Sequence, residues 1–237
     1  MFSDNAKRFI SAYNQIDQSV RSQYDLSKSI SYTEAIRKSA RMNAFVKKYE
    51  DKLIDYGRLR NAIVHRSSDE IIAEPNVDVV EKLEKIARII NTPPRVIECL
   101  RPREVFSVSG DETLHNVVGE MWKKGYSVVP VYISGTLVGV INRKMIVDGI
   151  GRFIANGKDI DDAMMEPVSK CLDIFNETSH YEVAPTSLTV ENLMYMFQQN
   201  RKLSSVILTE NGNYTEPAKV IIVSADIIDL NLILDNY

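Results

Sequence analysis

The chain has 237 residues and a formal net charge of −3, and 44% of its residues are hydrophobic and 26% charged. This composition is typical of a globular protein of about two domains. It excludes a membrane-spanning protein, because no apolar run approaches the roughly 20 residues that cross a bilayer. The charge is uneven, since residues 1–92 contain 16 Lys and Arg against 13 Asp and Glu, whereas residues 93–237 contain 13 against 19.

The cysteines and the N-terminus indicate the compartment. Cys99 and Cys171 are too few for a disulfide framework and lack the CxxC spacing of a zinc site. We therefore expect two buried thiols in a reducing cytoplasm. The first five residues lack the charged and then apolar pattern of a secretory signal. No Glu and His residues have metal-ligand spacing, so we predict a cytoplasmic protein without a metal.

Residues 1–92 are predicted to be helical throughout, because their apolar residues recur at three- and four-residue steps. The pattern predicts four helices, from a cap region at Ser3 and Asp4 through Val20, from Tyr32 through Phe45, from Leu53 to about Arg66–Ser68, and from an N-cap at Asn76 to Ile90. Pro93 and Pro94 stop the last helix, since proline cannot continue one. Between residues 26 and 48, six basic residues accompany a single acidic one, which suits either a phosphate-binding surface or a solvated helix face.

After residue 95 short strands and helices alternate, and their order repeats. The predicted strands are Val105–Val108, Val128–Tyr132, Leu137–Ile141, Glu182–Val183, Ser205–Leu208 and Val220–Val223. Helices are predicted over Thr113–Lys124, Arg143–Ala155, Thr189–Asn200 and from Ala225 onward. We therefore expect an α+β multidomain fold: an all-α helical bundle over residues 1–92, followed by a tandem strand-helix-strand-strand-helix repeat over residues 96–158 and 160–237.

Three blocks in each copy of the repeat resemble a known family. The blocks are Ser107–Leu114, Tyr126–Val131 and Leu137–Ile141 in the first copy, and Val183–Leu188, Lys202–Leu208 and Val220–Ile222 in the second. Because they are both ordered and repeated, residues 96–237 resemble a pair of CBS domains. The resemblance implies that an adenine nucleotide (AMP, ADP or ATP) binds as a regulatory ligand in the cleft between the two copies.

The same resemblance implies where the ribose of that ligand binds. In the family a small hydroxyl residue is followed three positions later by an aspartate, whose carboxylate can accept hydrogen bonds from two ribose hydroxyls. The first copy has Asn142-Arg143-Lys144-Met145, with methionine in place of the aspartate. The second copy has Ser224 and Asp226, which keeps the aspartate and moves the hydroxyl by one position. One nucleotide site is therefore expected, at Ser224 and Asp226.

Two other interpretations of the second half stay open. Asp226 also suits a plain helix N-terminus, where a carboxylate is stabilising. The pair of repeats could instead serve only as a dimerisation scaffold. Neither GxxxxGK[ST] nor GxGxxG occurs in the sequence, so hydrolysis of a nucleotide by this half is not expected.

The helical half contains the segment Arg60-Asn61-Ala62-Ile63-Val64-His65, in a chain with three histidines. Histidine, with an unperturbed pKa of about 6.5, suits a general base. The planar guanidinium of arginine suits stabilisation of the negative charge that develops on a scissile phosphate. The spacing resembles the HEPN superfamily, whose members with this motif are metal-independent endoribonucleases that act as dimers. The resemblance implies that His65 is the general base, Arg60 the phosphate stabiliser and Asn61 the orienting group. It implies no cofactor for catalysis and a 2′,3′-cyclic phosphate product.

The spacing of these residues favours a dimer. At about 100° per residue of helix, Asn61 and His65 share a face, whereas Arg60 and His65 lie about 140° apart. They converge if the helix breaks near Arg66, or if a two-fold axis brings two copies of the motif together. We therefore expect a homodimer that acts on RNA. The alternative is that Arg60 and His65 only stabilise the C-terminal end of a helix, where basic side chains are favourable, and take no part in catalysis.

Three functions stay open from the sequence. The first is an endoribonuclease regulated by an adenine nucleotide at the CBS pair. The second is a non-catalytic nucleotide-sensing module whose helical domain binds a protein or RNA partner. The third is a toxin-like nuclease held inactive by an antitoxin-like protein partner.

Overall fold

The computed structural model describes residues 4–64, 73–157, 159–175 and 181–236. Helices of these residues are α1 (Asp4–Gln23), α2 (Tyr32–Ser39), α3 (Ala44–Lys48), α4 (Glu50–Ile63), α5 (Val77–Asn91), α6 (Val96–Cys99), α7 (Leu114–Lys124), α8 (Arg143–Ala155), α9 (Ile160–Met165), α10 (Val168–Phe175), α11 (Val190–Gln199) and α12 (Asp226–Asn236). The strands are β1 (Val108–Ser109), β2 (Val128–Ile133), β3 (Thr136–Asn142), β4 (Tyr181–Pro185), β5 (Ser205–Thr209) and β6 (Val220–Val223). The fold is mixed α and β, as expected. Within the described residues, no helix is long and apolar enough to cross a membrane.

The chain divides into two compact units. The first comprises Met1–Pro94, Thr189–Tyr195 and Ile233–Tyr237, and the second comprises Arg95–Leu188 and Met196–Leu232. Each unit has its own buried core.

The first unit is built mainly from helices, with α1 packed along α5. Phe9, Ile16 and Leu83 are fully buried between them. At the edge of this contact Arg8 donates two hydrogen bonds to the carboxylate of Glu84, at 2.9 and 2.7 Å. Polar side chains cap three helix starts, where the side-chain oxygens of Ser31, Asn43 and Asn76 accept hydrogen bonds from backbone N–H groups of the first turn.

Two helix boundaries predicted in the first unit were wrong. The helix expected from Tyr32 through Phe45 is two helices, because the Ser39 hydroxyl hydrogen-bonds the carbonyls of Ala35 and Ile36 and the backbone leaves the helix soon afterwards. The helix expected to end near Arg66–Ser68 ends at Ile63. Val64 has an extended backbone and a buried, β-branched side chain, which favours a strand-like conformation.

The second unit contains two three-stranded sheets with the same topology. In the first, β1 pairs with β2 in parallel and β2 with β3 in antiparallel. In the second, β4 pairs with β5 in parallel and β5 with β6 in antiparallel. The helix α7 follows β1 and α11 follows β4, so the predicted order of strand, helix, strand and strand occurs twice.

The two sheets of the second unit pack face to face. Val128, Leu137 and Val140 of the first sheet and Ile207 of the second are buried in one apolar cluster. Polar contacts border this cluster, since the Tyr132 hydroxyl accepts a hydrogen bond from the backbone N–H of Ala218 at 2.9 Å. The opposite face of the first sheet packs on helices, with Leu114, Val117 and Met121 of α7 in its core. Each sheet therefore covers an apolar face of the other.

Several elements of the second unit differ from the sequence predictions. The strand predicted over Val105–Val108 is the two-residue strand β1, because residues 101–107 have no partner strand. The short helices α6, α9 and α10 were not predicted. At four to eight residues they are too short to show a helical period in the sequence.

Replacing Ile207 with alanine is expected to lower the free energy of unfolding by about 2–5 kcal/mol, because a buried side chain between the sheets leaves a cavity. Chemical denaturation monitored by circular dichroism measures the change. Ile228→Ala is the matched control, since Ile228 is 66% exposed and its truncation should change the stability by less than about 0.5 kcal/mol. Equal losses in the two variants would contradict a shared core between the sheets.

Candidate functional site

A cavity of about 440 Å³ lies in the second unit. Its wall combines three segments: the chain between α6 and β1, the connection from α7 into β2, and β6 with the first residue of α12. Residues from both sheets therefore line one cavity.

Asp226 is the buried polar group of this cavity. It is the first residue of α12, three positions after the last residue of β6, and it is 3% exposed. One carboxylate oxygen, Oδ2, accepts a hydrogen bond from the backbone N–H of Val223 at 2.9 Å. The other, Oδ1, accepts one from Nη1 of Arg103 at 2.7 Å. The carboxylate is thus fixed at the cavity wall by one backbone and one side-chain donor.

Three basic residues line the same cavity: Arg101, Arg103 and Lys124. The ammonium of Lys124 lies 3.7 Å from the carboxylate of Glu104, which also lines the cavity. None of these four residues was predicted from the sequence to be a site residue. Arg101-Pro102-Arg103 is a short basic segment, but nothing in the sequence places it opposite Asp226.

The remaining wall is largely apolar. Phe106 and Tyr126 stack with ring centroids 5.7 Å apart and an angle of 9° between their planes. Val128, Ile221 and Val223 add aliphatic surface. The cavity therefore has aromatic and aliphatic walls together with charged groups of both signs, a composition that suits a ligand with an apolar ring and an anionic end.

The ribose-site residues predicted in the two repeats have different places. Asp226 lines the cavity, whereas Ser224 is exposed and is absent from the described residues that line it. In the first repeat, the Asn142 side chain caps α8 by accepting the N–H of Met145 at 3.0 Å, and Met145 is 3% exposed in the core. The position that carries the aspartate in the second repeat is a core residue in the first.

A family model of the CBS domain matches residues 97–152. The matched residues are therefore similar to a CBS domain. They contain the first sheet with α7 and most of α8, and they supply the cavity residues from Leu100 to Val128. The residues of β6 and α12 that complete the cavity lie outside the matched range.

Several solved structures are similar to part of this chain. One is the CBS-domain containing protein ATU1752 from Agrobacterium tumefaciens, with 18% identity and a TM-score of 0.42, covering 54% of this chain and 85% of that one. Another is CBSX2 in complex with AMP, with 15% identity and a TM-score of 0.45, covering 60% and 98%. A third is the CBS domain of the bacterial CNNM/CorC family Mg²⁺ transporter in complex with ATP, with 19% identity and a TM-score of 0.45, covering 64% and 97%. A comparison with curated proteins found no match.

The first unit holds two of the three predicted catalytic residues. Arg60 is half-buried and Asn61 is exposed, both in the last turn of α4. Burial raises the pKa of the Tyr13 phenol to about 12 with a further contribution from Asp17, while the charge of Arg60 opposes the rise. His65 lies outside the described residues.

The cysteines differ from each other in burial. Cys171 is buried, and burial raises the pKa of its thiol to about 11. Cys99 is only half-buried, which differs from the prediction of two buried thiols, and burial also raises its pKa. Both shifts disfavour the nucleophilic thiolate. Among the described residues, no group of three or more His, Cys, Asp or Glu side chains could hold a metal ion.

Proposed function

We propose that the chain is a nucleotide-sensing regulatory protein that binds AMP, ADP or ATP in the cavity of the second unit. The observation that carries this proposal is a buried carboxylate, Asp226, in a cavity that also presents Arg101, Arg103 and Lys124. Its volume of about 440 Å³ lies within the range of about 300–1,000 Å³ typical of small-molecule sites.

Each part of the cavity matches a part of such a ligand. The apolar wall around Phe106 and Tyr126 suits the purine ring, since aromatic rings favour stacked or edge contacts. The Asp226 carboxylate can accept hydrogen bonds from the ribose hydroxyls. The guanidinium groups of Arg101 and Arg103 suit the phosphates, because arginine forms strong charge-assisted hydrogen bonds with them.

Addition of AMP, ADP or ATP is expected to raise the melting temperature of the purified chain. A ligand present at 100 times its dissociation constant adds about 2.7 kcal/mol to the free energy of unfolding. Differential scanning fluorimetry and isothermal titration calorimetry measure the shift and the affinity. GMP is the ligand control, and the absence of binding by all three adenine nucleotides would contradict the proposal.

A blocked cavity tests the location of this binding. Ser127 is exposed and lines the cavity, so Ser127→Trp should occupy the ligand's space without disturbing the core. Lys123→Trp is the control, because Lys123 is exposed on α7 and is not one of the described lining residues. We expect Ser127→Trp to abolish the thermal shift and Lys123→Trp to retain it.

The endoribonuclease interpretation is a second proposal, with His65, Arg60 and Asn61 in the roles given above. It is supported by the end of α4 at Ile63 and the extended backbone of Val64, because the helix that contains Arg60 then stops before position 65. This proposal includes a homodimer, RNA as substrate and regulation by the bound nucleotide. In the alternative without catalysis, the helical unit binds a protein or RNA partner, and in the toxin-like alternative an antitoxin-like protein silences the nuclease.

A further inference from the structure

Arg103 covers the carboxylate that is proposed to bind the ribose. The side chain of Asp226 is 4% exposed, whereas that of Arg103 is 59% exposed, and the two are joined by the 2.7 Å hydrogen bond between Nη1 and Oδ1. The second oxygen of Asp226 is held by the backbone of Val223. A ligand hydroxyl that approaches Oδ1 from the cavity therefore competes with Arg103 for this oxygen, since the other oxygen is held by the backbone.

Arg103 is held in place by a single ion pair. Among the described residues, Asp226 is the one hydrogen-bond partner of the Arg103 side chain. Ion pairs between exposed side chains change an equilibrium by up to about fivefold, because solvent competes for the charges. The burial of Asp226 places this pair at the upper end of that range, so an uncharged ligand that competes with Arg103 is disfavoured.

A phosphate group can replace Asp226 as the anionic partner of Arg103. Arg103 and Arg101 line the same cavity as Asp226, so a displaced Arg103 stays within reach of a bound ligand. The guanidinium then exchanges one carboxylate for another anion and forms charge-assisted hydrogen bonds with the phosphate oxygens. An uncharged nucleoside such as adenosine leaves Arg103 without an anion.

We propose that Arg103 determines specificity for nucleotides over nucleosides: it covers Asp226 against an uncharged nucleoside and moves to the phosphate when a nucleotide binds. This inference rests on the proposed nucleotide site. It adds that discrimination arises from an exchange of partners by one residue, Arg103, and not from the total charge of the cavity.

The test compares adenosine with AMP on Arg103→Met, which removes the charge and keeps the aliphatic part of the side chain. We expect the affinity for adenosine to rise by up to about fivefold because Asp226 is uncovered. The affinity for AMP should fall by about tenfold or more because a phosphate contact is lost. Isothermal titration calorimetry on the full chain measures both dissociation constants, and the melting temperature without ligand checks the fold.

Arg101→Met is the matched control, since Arg101 lines the same cavity and Asp226 has its side-chain partner in Arg103. It should weaken AMP binding without strengthening adenosine binding. A parallel change of both ligands in Arg103→Met, or no change in either, would overturn the role of Arg103 while nucleotide binding itself stands. Failure of adenosine and AMP to bind the wild type and both variants would overturn the proposed site together with this inference.

Ionic strength provides a second readout on the unmodified chain. Salt weakens the ion pair between Arg103 and Asp226, because the Arg103 side chain is exposed to solvent. Salt also weakens the contacts between basic side chains and the phosphate of AMP. Higher salt should therefore strengthen adenosine binding and weaken AMP binding in the wild type. In Arg103→Met the increase for adenosine should disappear, and its persistence would contradict the proposed exchange.

Discussion

Asp226→Ala is expected to weaken AMP binding about 100-fold or more. Two hydrogen bonds from ribose hydroxyls to a carboxylate would be lost, and each bond to a charged group contributes about 1.5–3 kcal/mol. The effect should be large because Asp226 is almost completely buried, so water does not readily take the place of the lost hydrogen-bond acceptor. Isothermal titration calorimetry with the wild type and the variant measures the change.

Two further variants separate binding from folding at this position. Asp226→Ala also leaves the N–H of Val223 without its acceptor, which lowers stability by about 1–3 kcal/mol. Asp226→Asn keeps an acceptor for that N–H and should retain more stability while still losing most of the affinity. Asp229→Ala changes an exposed carboxylate one turn along α12 and should leave both quantities unchanged. AMP binding by Asp226→Ala at wild-type strength would exclude the ribose contact.

His65→Ala is expected to lower the rate of RNA cleavage by about 10³-fold, because a general base contributes about 10²–10⁴ to such a reaction. The assay uses purified chain, RNA and excess chelator, and it is repeated with and without AMP, ADP and ATP. The cleaved ends should carry a 2′,3′-cyclic phosphate. Arg60→Ala should cause a loss of similar size because the charge on the phosphate is then not stabilised.

His115→Ala is the matched control for this experiment, since His115 is exposed on α7 in the other unit. It should cleave RNA at the wild-type rate. Equal activity of His65→Ala and His115→Ala would show that the cleavage comes from a contaminant or another site. Absence of cleavage by the wild type under every condition would favour the non-catalytic sensing module.

The order of elements in the second unit could be predicted because its signals are local. Apolar runs such as Val128–Tyr132 and Val220–Val223 fall within observed strands, and Thr113 caps α7 at the predicted start. Short elements were not predicted because their hydrophobic periodicity extends over too few residues, as in the six-residue helix α9. The strand before Ser109 was too long in the prediction, because an extended and apolar segment becomes a strand only where a partner is available.

The candidate site could be predicted only in part. Asp226 was predicted from the resemblance of the second repeat to the ribose-binding pattern of CBS domains. Its partner Arg103 lies 123 residues away, and a contact over that separation depends on how the two sheets pack. A single sequence contains no periodic pattern that reports such a pairing. The helix end before His65 was missed for a related reason, since burial of Val64 overrides the helical pattern that precedes it.

The face-to-face packing of the two sheets has a consequence for biosynthesis. The apolar face formed by Val128, Leu137 and Val140 is covered by residues of the second sheet, the last of which lie on β6. A ribosome makes the chain from its N-terminus, so this face stays open to other chains until residues near Val223 have emerged. The nascent first repeat is then the aggregation-prone stage of synthesis, and a chaperone that binds apolar strands should associate with it there.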